Sequence, residues 1–497
     1  MHSFLSVAEI RLAICELLQK DKISLVALAG SCSTFKEPAL NLIWRKLKGI
    51  DSLIKCLPRE LWASPTKPRT VVSLQVPTAH LLFISLEPEQ ALNGTDIATL
   101  DKYRGRVQEL EYPPDPNFGI DVLQALSLCY PGPVFPNLQV LEWWCSDDSF
   151  FPFIRSCLSS KLTSLTISAG AWAPTAISFM LRLPTHICPN ILRHLHIQFR
   201  LDSRDSQLQL CGTNLGIWHS LHYLHLSGLT VEGFLQVAKM PHLEKLTLDT
   251  EDRLHALDPN CLKHISHPFP RLRSFTSHDF PFRVVKLLPC IPLSQLEELA
   301  LESSSSASVT QQEWISCIHI LAQRLNRKIF KKLYINYDNI DVPQQWLDII
   351  LSPLLQLSAL ENVEIDLCGD LGLSDAYATR IAQAWPEITV LDILPSFIVA
   401  DSPLTALSAL VALASGCPKL RRLGVAFDAA NEEVQATLLD LLMTSKLGSP
   451  HLSLECLRVG YSPIVHKEFV ALLLFELFPN LAYIEASGED EETKDRV

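Results

Sequence analysis

The groups able to do chemistry here are histidines, carboxylates and cysteines. His196 and His225 occur at the same place in two similar segments, the beginning of a zinc site. Zinc wants three or four ligands, and no third accompanies them, so two solvated histidines is the plainer reading. The fourteen cysteines scatter from Cys15 to Cys456 without a C-x-x-C pair. Cys15, Cys32 and Cys317 lie inside apolar runs, where a thiol acts as a small hydrophobe. This usage points to reduced thiols in a cytosolic or nuclear protein. There is no glycine-rich phosphate loop, no H-E-x-x-H and no G-x-S-x-G. No spacing ties a histidine to an acid as an acid–base pair. Neither catalysis nor any cofactor or metal is therefore expected. What remains is a set of acids, Asp249, Glu302, Glu364, Asp366 and Asp392, whose meaning depends on whether the fold gathers them on one face.

The elements that position these groups come from a repeat. A unit apolar-x-x-apolar-x-apolar recurs at Leu138/Leu141/Trp143, Leu162/Leu165/Ile167, Leu192/Leu195/Ile197, Leu221/Leu224/Leu226 and Leu243/Leu246/Leu248. A weaker copy has Leu272, Phe275 and Ser277. The series runs on through Leu296/Leu299/Leu301, Phe330/Leu333/Ile335, Leu360/Val363/Ile365, Ile388/Leu391/Ile393, Leu420/Leu423/Val425, Leu454/Leu457/Val459 and Leu481/Ile484/Ala486. Weaker units precede it at Val71/Leu74/Val76 and Val107/Leu110/Tyr112. The mean spacing is about 29 residues, at the upper end for leucine-rich repeats. Proline two residues before many units, as at Pro136, Pro241 and Pro479, marks where a helix hands over to a strand.

Helical patterns fill the intervals. Ser402-Pro403 reads as an N-cap followed by proline at the first helical position, with Leu404, Leu407, Val411 and Ala414 as its stripe and Gly416 at its end. Thr310 to Glu313 has capping-box spacing. These units resemble leucine-rich repeats of the helix-containing type, although only Cys368 fills the position where that family often carries Asn or Cys. The expected fold is an α/β leucine-rich-repeat solenoid, with a curved parallel sheet inside and helices outside.

At 497 residues with 48% hydrophobic and 19% charged content, the chain is ordered, not disordered. A net charge of −12 argues against nucleic acid or an anionic membrane as its partner. No apolar stretch is long enough for a transmembrane helix, and Glu9 and Arg11 interrupt any signal-peptide core. The expected location is cytoplasmic or nuclear.

Residues 1–48 do not match the repeat. Ser6 to Glu9 forms a capping box with Leu5 and Ile10 as a staple. Ile10, Ile14, Leu17 and Leu18 make one stripe, and Leu25, Leu28, Ala29 and Cys32 indicate a second helix. A third is expected to begin near Thr34, whose partner Glu37 repeats the capping-box spacing, with Pro38 in its first turn and Leu40, Ile43, Trp44 and Leu47 along it. Three such helices bury a small core and are marginal alone.

The sequence of this module, Glu9-Ile10, Leu25-x-x-Leu28-x-x-x-Cys32, Phe35 and Leu42-Ile43-Trp44-Arg45, resembles an F-box. With the extension Leu53–Trp62 and the repeats, the chain resembles fungal F-box proteins with leucine-rich repeats, although the usual Leu-Pro opening is absent. The resemblance implies the substrate-recognition subunit of a Skp–cullin–F-box ubiquitin ligase. In such a subunit the F-box docks on a Skp-type adaptor and the cullin core, and the repeats hold a substrate protein. It also implies that Leu5, Ile10, Leu28, Cys32 and Trp44 contact the adaptor, while the alternative is that they only hold the three helices together. A repeat scaffold with no ubiquitin role is the competing reading of the whole chain.

The expected organisation is an F-box-like module at 1–48, a connection at 49–70, the solenoid at 71–487 and an acidic tail at 488–497. Side chains alternate faces along a strand, which puts Asp249, Glu302, Glu364, Asp366 and Asp392 on the concave surface. There they would attract a basic segment of a substrate or simply solubilise the face. Trp144 projects outward beside core Trp143 and is a candidate anchor for the substrate. The polar insertions Asp202–Asn214 and Ser303–Ser308 are either binding loops or plain connections.

Overall fold

The structure, a computed structural model, describes residues 7–59, 92–114, 116, 120–145, 147–169, 182–199, 215–249, 259–278, 285–303, 311–337, 351–367, 373, 375–394, 405–429 and 450–486. Leu5, the capping Ser6, the unit at Val71, the insertion Asp202–Asn214, Ser402-Pro403 and the acidic tail lie outside these residues. So do Ser304–Ser308 and the second half of the connection at 49–70.

The chain divides into two compact units, Met1–Ser227 and Gly228–Val497. The first opens with three helices, α1 (Ala8–Leu17), α2 (Lys22–Ser31) and α3 (Ser33–Arg45). Asp21 caps α2 by accepting from the Ile23 and Ser24 amides, satisfying donors that the helix itself cannot. α3 starts earlier than its sequence suggests, capped at Cys32 and not at Thr34. Pro38 therefore falls in the second turn. Having no N–H, it leaves the Thr34 carbonyl without its helical donor, and Arg11 Nη1 of α1 approaches that carbonyl at 3.4 Å. Cys15, Leu25, Phe35 and Ala39 form the buried centre of the three helices.

α3 runs straight into β1 (Lys46–Lys48), a strand within the stretch read as helical. It pairs in parallel with β2 (Glu109–Tyr112). β3 (Val140–Trp143), β4 (Ser164–Ala169), β5 (His194–Phe199) and β6 (Tyr223–Ser227) follow, each parallel to the strand before it. Between β1 and β2 lies α4 (Gly94–Arg104), opened by a capping box between Asn93 and Asp96.

The second unit carries β7 (Lys245–Asp249), β8 (Ser274–His278), β9 (Glu298–Ser303), β10 (Lys332–Tyr337), β11 (Asn362–Leu367) and β12 (Val390–Ile393). These are joined in order by β14 (Arg422–Val425), β16 (Cys456–Gly460) and β17 (Tyr483–Ala486), all parallel. Two short strands, β13 (Thr405–Ala406) and β15 (Phe427–Asp428), pair separately.

Parallel strands taken in sequence order, with helical segments between many of them, make the architecture an α/β solenoid of the leucine-rich-repeat kind. Every one of the thirteen units from Leu138 to Ala486 places a strand where its apolar triplet predicts one. The burial pattern gives the reason: in β10 Leu333 and Ile335 are buried while Lys332 is exposed and Tyr334 only half-buried. The helices obey their own period. In Gln311–Arg324, Trp314, Cys317, Ile318 and Leu321 are buried, a stripe at helical spacing, and Trp314 meets Tyr337 of β10 edge-on at 4.7 Å.

The helix expected from Ser402 begins at Leu407. Its last residue, Gly416, answers a packing need: a Cβ there would lie 2.3 Å from Ala382 Cβ on the preceding helix, Asp375–Ala384.

Candidate functional site

Two surfaces carry most of the residues singled out in the sequence, one in each unit. The first is the helical module. Leu28 and Cys32 pack against its buried centre. The Cys32 thiol is lowered from its usual range by hydrogen bonds from the Thr34 hydroxyl and backbone. Ile10 is half-buried. Trp44 stacks on Tyr103 of α4 with ring centroids 4.5 Å apart, so it ties α3 to the first repeat. Arg106 adds to that joint through Glu37 at 2.6 Å and through Asn41.

The apolar groups this module leaves in water are different ones. Leu17 is 86% exposed, Ile23 83% and Val26 58%, with Val7 and Leu12 also exposed. Sequence reasoning placed Leu17 in the core stripe and passed over Ile23 and Val26, because a helical period reports spacing and not which apolar face finds a partner.

The second surface is the open face of the strands in the second unit, where parallel register aligns outward residues into rows. One row runs His278, Glu302, Asn336, Asp366 across β8 to β11; another runs Thr276, Ala300, Tyr334, Glu364, Asp392, Gly424, Arg458. Asp249 joins the first row through His278, which lies 3.9 Å from its carboxylate and 3.2 Å from that of Glu302. The hydrogen bond to Glu302 raises the His278 pKa against the opposing effect of burial, and the Asp249 charge adds to it. Acids surround Tyr334 as well. Burial raises its hydroxyl pKa, the Asn336 amide it accepts from works against that, and the charges of Glu302, Asp366 and Glu364 add to it.

The five acids do not behave alike. Asp392 is only 4% exposed and accepts from Arg422 Nη2 at 3.1 Å and from Arg458 Nη1. It is an ion-paired group within the face and offers little charge to a partner. Glu298, not singled out in the sequence, is held below the usual carboxylate range. Burial opposes this, and the hydrogen bond and charge of Lys332 with the charge of Lys245 outweigh it. Glu302 on β9 and Glu364 and Asp366 on β11 flank β10 on this face, with Asp249 at their edge through His278.

In the first unit, Trp144 is half-buried and faces His196 edge-on at 6.3 Å. His196 and His225 are stacked with centroids 4.1 Å apart, the adjacency that the repeat predicts. Burial pushes the Cys157, Cys317 and Cys417 thiols up to about 12, the reverse of an activated nucleophile. Among the described residues no helix is long and apolar enough to cross a membrane.

No protein-family model matches the chain, and no curated protein matches it. Among solved structures, similarity extends to the complex of Rad7 and Elc1 from yeast, at 18% identity over 57% of this chain and 81% of that one, with a TM-score of 0.29. A protein from Bacteroides fragilis is similar at 14% identity over 47% of this chain and 70% of that one, with a TM-score of 0.22.

Proposed function

We propose that this chain is the substrate-recognition subunit of a cullin-type ubiquitin ligase, in which the helical module docks a Skp-type adaptor and the strand faces bind the substrate protein. The carrying observation is the module itself. Among the described residues its buried centre is four residues, yet it leaves Leu17, Ile23 and Val26 in water, apolar surface that a docked partner covers. A capping unit that only closed a solenoid would turn a polar face outward. Ile10, Leu28 and Cys32 then shape the docking surface from behind, while Trp44 fixes its angle to the first repeat. Ubiquitin transfer falls to other subunits, and this chain performs no catalysis of its own. A cytoplasmic or nuclear setting fits the free thiols among the described residues.

The test is co-purification of the full chain with a Skp-type adaptor, comparing wild type with Ile23→Asp and Leu17→Asp. Both sites are exposed, so circular dichroism should not change, and adaptor capture should fall at least about tenfold. Undiminished capture by both variants would remove the adaptor role and leave a plain protein-binding scaffold.

A further inference from the structure

The open face of the second unit is not level. Along the row Thr276, Ala300, Tyr334, Glu364, the side chain shrinks to a methyl on β9 between a threonine and a tyrosine. The result is a depression of about 340 Å³ lined by Thr276, Ala300, Glu302, Tyr334, Asn362 and Glu364, with Glu298 and Lys332 at its other edge. That volume is at the small end for ligand sites, suited to one long side chain and not to a cofactor.

The lining specifies the charge and shape of the occupant. Glu302 and Glu364 stand on the strands either side of Tyr334, and their charges reach its hydroxyl. Glu364 accepts from the Asn362 amide of its own strand at 3.1 Å. The cationic groups beside this face are already committed: Lys332 lies 2.7 Å and Lys245 3.7 Å from Glu298, and His278 lies 3.2 Å from one oxygen of Glu302. An anion would meet two carboxylates here. The half-buried tyrosine ring supplies a flat wall. A flat cation with several N–H donors satisfies all of these at once.

We infer that the depression over Ala300 takes an arginine side chain from an extended segment of the substrate protein. This rests on the reading of these strands as the substrate-binding surface and names what that surface selects. The guanidinium lies against the Tyr334 ring and donates to Glu302 and Glu364, and its methylenes cover Ala300. Arginine is favoured over lysine because a planar fork both stacks on a ring and donates to two carboxylates. Lysine brings the charge without that geometry.

The experiment measures fluorescence anisotropy of the full chain with a fluorescein-labelled peptide of repeated Gly-Ser-Arg. Counterparts carry lysine or uncharged citrulline in place of arginine. Citrulline should bind at least about tenfold more weakly, and lysine several-fold more weakly. Ala300→Leu fills the depression and should cost about tenfold, while Glu142→Gln in the first unit should change nothing. Equal binding of arginine and citrulline peptides, or wild-type affinity in Ala300→Leu, overturns the inference. If circular dichroism shows that Ala300→Leu misfolds, the shape-preserving pair Glu302→Gln/Glu364→Gln decides, and unchanged affinity there overturns it equally. Adaptor capture is measured on the same samples. Capture without arginine discrimination sinks the pocket alone; arginine binding without capture sinks the ligase reading and leaves the pocket standing.

Discussion

Replacing Gly424 with alanine perturbs the ion cluster on β12, β14 and β16 through a single methyl. Gly424 stands opposite Asp392 on β12 and opposite Arg458 on β16, so the Asp392 carboxylate reaches Arg458 across the empty space above it. A Cβ there would lie 2.1 Å from Asp392 Oδ1 and 2.5 Å from its Cγ, and the carboxylate must move. Breaking a buried ion pair costs about 3–5 kcal/mol. Here the two arginine side chains are 39% and 34% exposed and regain water when released, which reduces the expected cost to about 2 kcal/mol. Repeat arrays need not unfold in one step, so the assay is local: hydrogen exchange of the amides in β12, β14 and β16. A loss of about 2 kcal/mol speeds exchange roughly thirtyfold where opening is local. In an Asp392→Ala background the clash is gone, and Gly424→Ala should add almost nothing. An equal penalty in both backgrounds, or none in the wild type, would refute this account of why glycine stands at 424.

Two further outcomes concern β8. Ser277 is fully buried at a position where most other units place an apolar residue, and its hydroxyl has no partner among the described residues. Ser277→Ala should therefore stabilise β8 by about 1 kcal/mol, seen as slower exchange of its amides. His278 has its pKa raised by Glu302 and Asp249, so its contribution is fully present below the unfolded histidine value and is lost as pH rises through the folded one. His278→Gln should thus be destabilising at acid pH and close to neutral in mildly alkaline buffer, and a pH-independent difference from wild type in the exchange protection of the β8 amides would contradict the ion-pair geometry.

Most of the fold was legible because strand burial alternates with period two in most units, although β6, β7, β12 and β14 are buried on successive residues and β17 is exposed throughout. Leu141, Leu165 and Leu195 are each buried, and register follows from stacking identical triplets. The failures have local causes. Lys46–Lys48 has one apolar residue, Leu47, between two lysines, so it carries no period and reads as the end of α3. The start of α3 was misplaced because Thr34 and Glu37 have the spacing of a capping box, whereas the backbone turns at Cys32 without any side-chain cap. Gly416 was read correctly as the end of a helix but for an incomplete reason. Its contact with Ala382 comes from a helix a full repeat earlier, which no local pattern reports.

The acids show where alternation stops being informative and register takes over. Period two places Glu302, Glu364, Asp366 and Asp392 off the core alike, yet their partners come from other strands: Arg422 lies 30 residues and Arg458 66 residues beyond Asp392. Writing the units under one another by their apolar triplets recovers this, since Glu364, Asp392, Gly424 and Arg458 then fall in one row. In that row a glycine next to an acid, with arginine beyond it, is a neutralised cluster, whereas Ala300 beside Tyr334 and Glu364 is a gap edged by uncompensated charge. The two carboxylates should therefore part company under the same change. Asp392→Asn removes a buried ion pair and should cost about 2 kcal/mol of local stability while leaving affinity for the arginine peptide intact. Glu364→Gln touches a half-buried group with no cationic partner among the described residues. It should leave exchange rates unchanged and weaken the peptide several-fold, less so as salt is raised. Exchange and anisotropy on both variants separate the roles, and a peptide-binding loss in Asp392→Asn as large as that in Glu364→Gln would mean that the face acts as one diffuse acidic field.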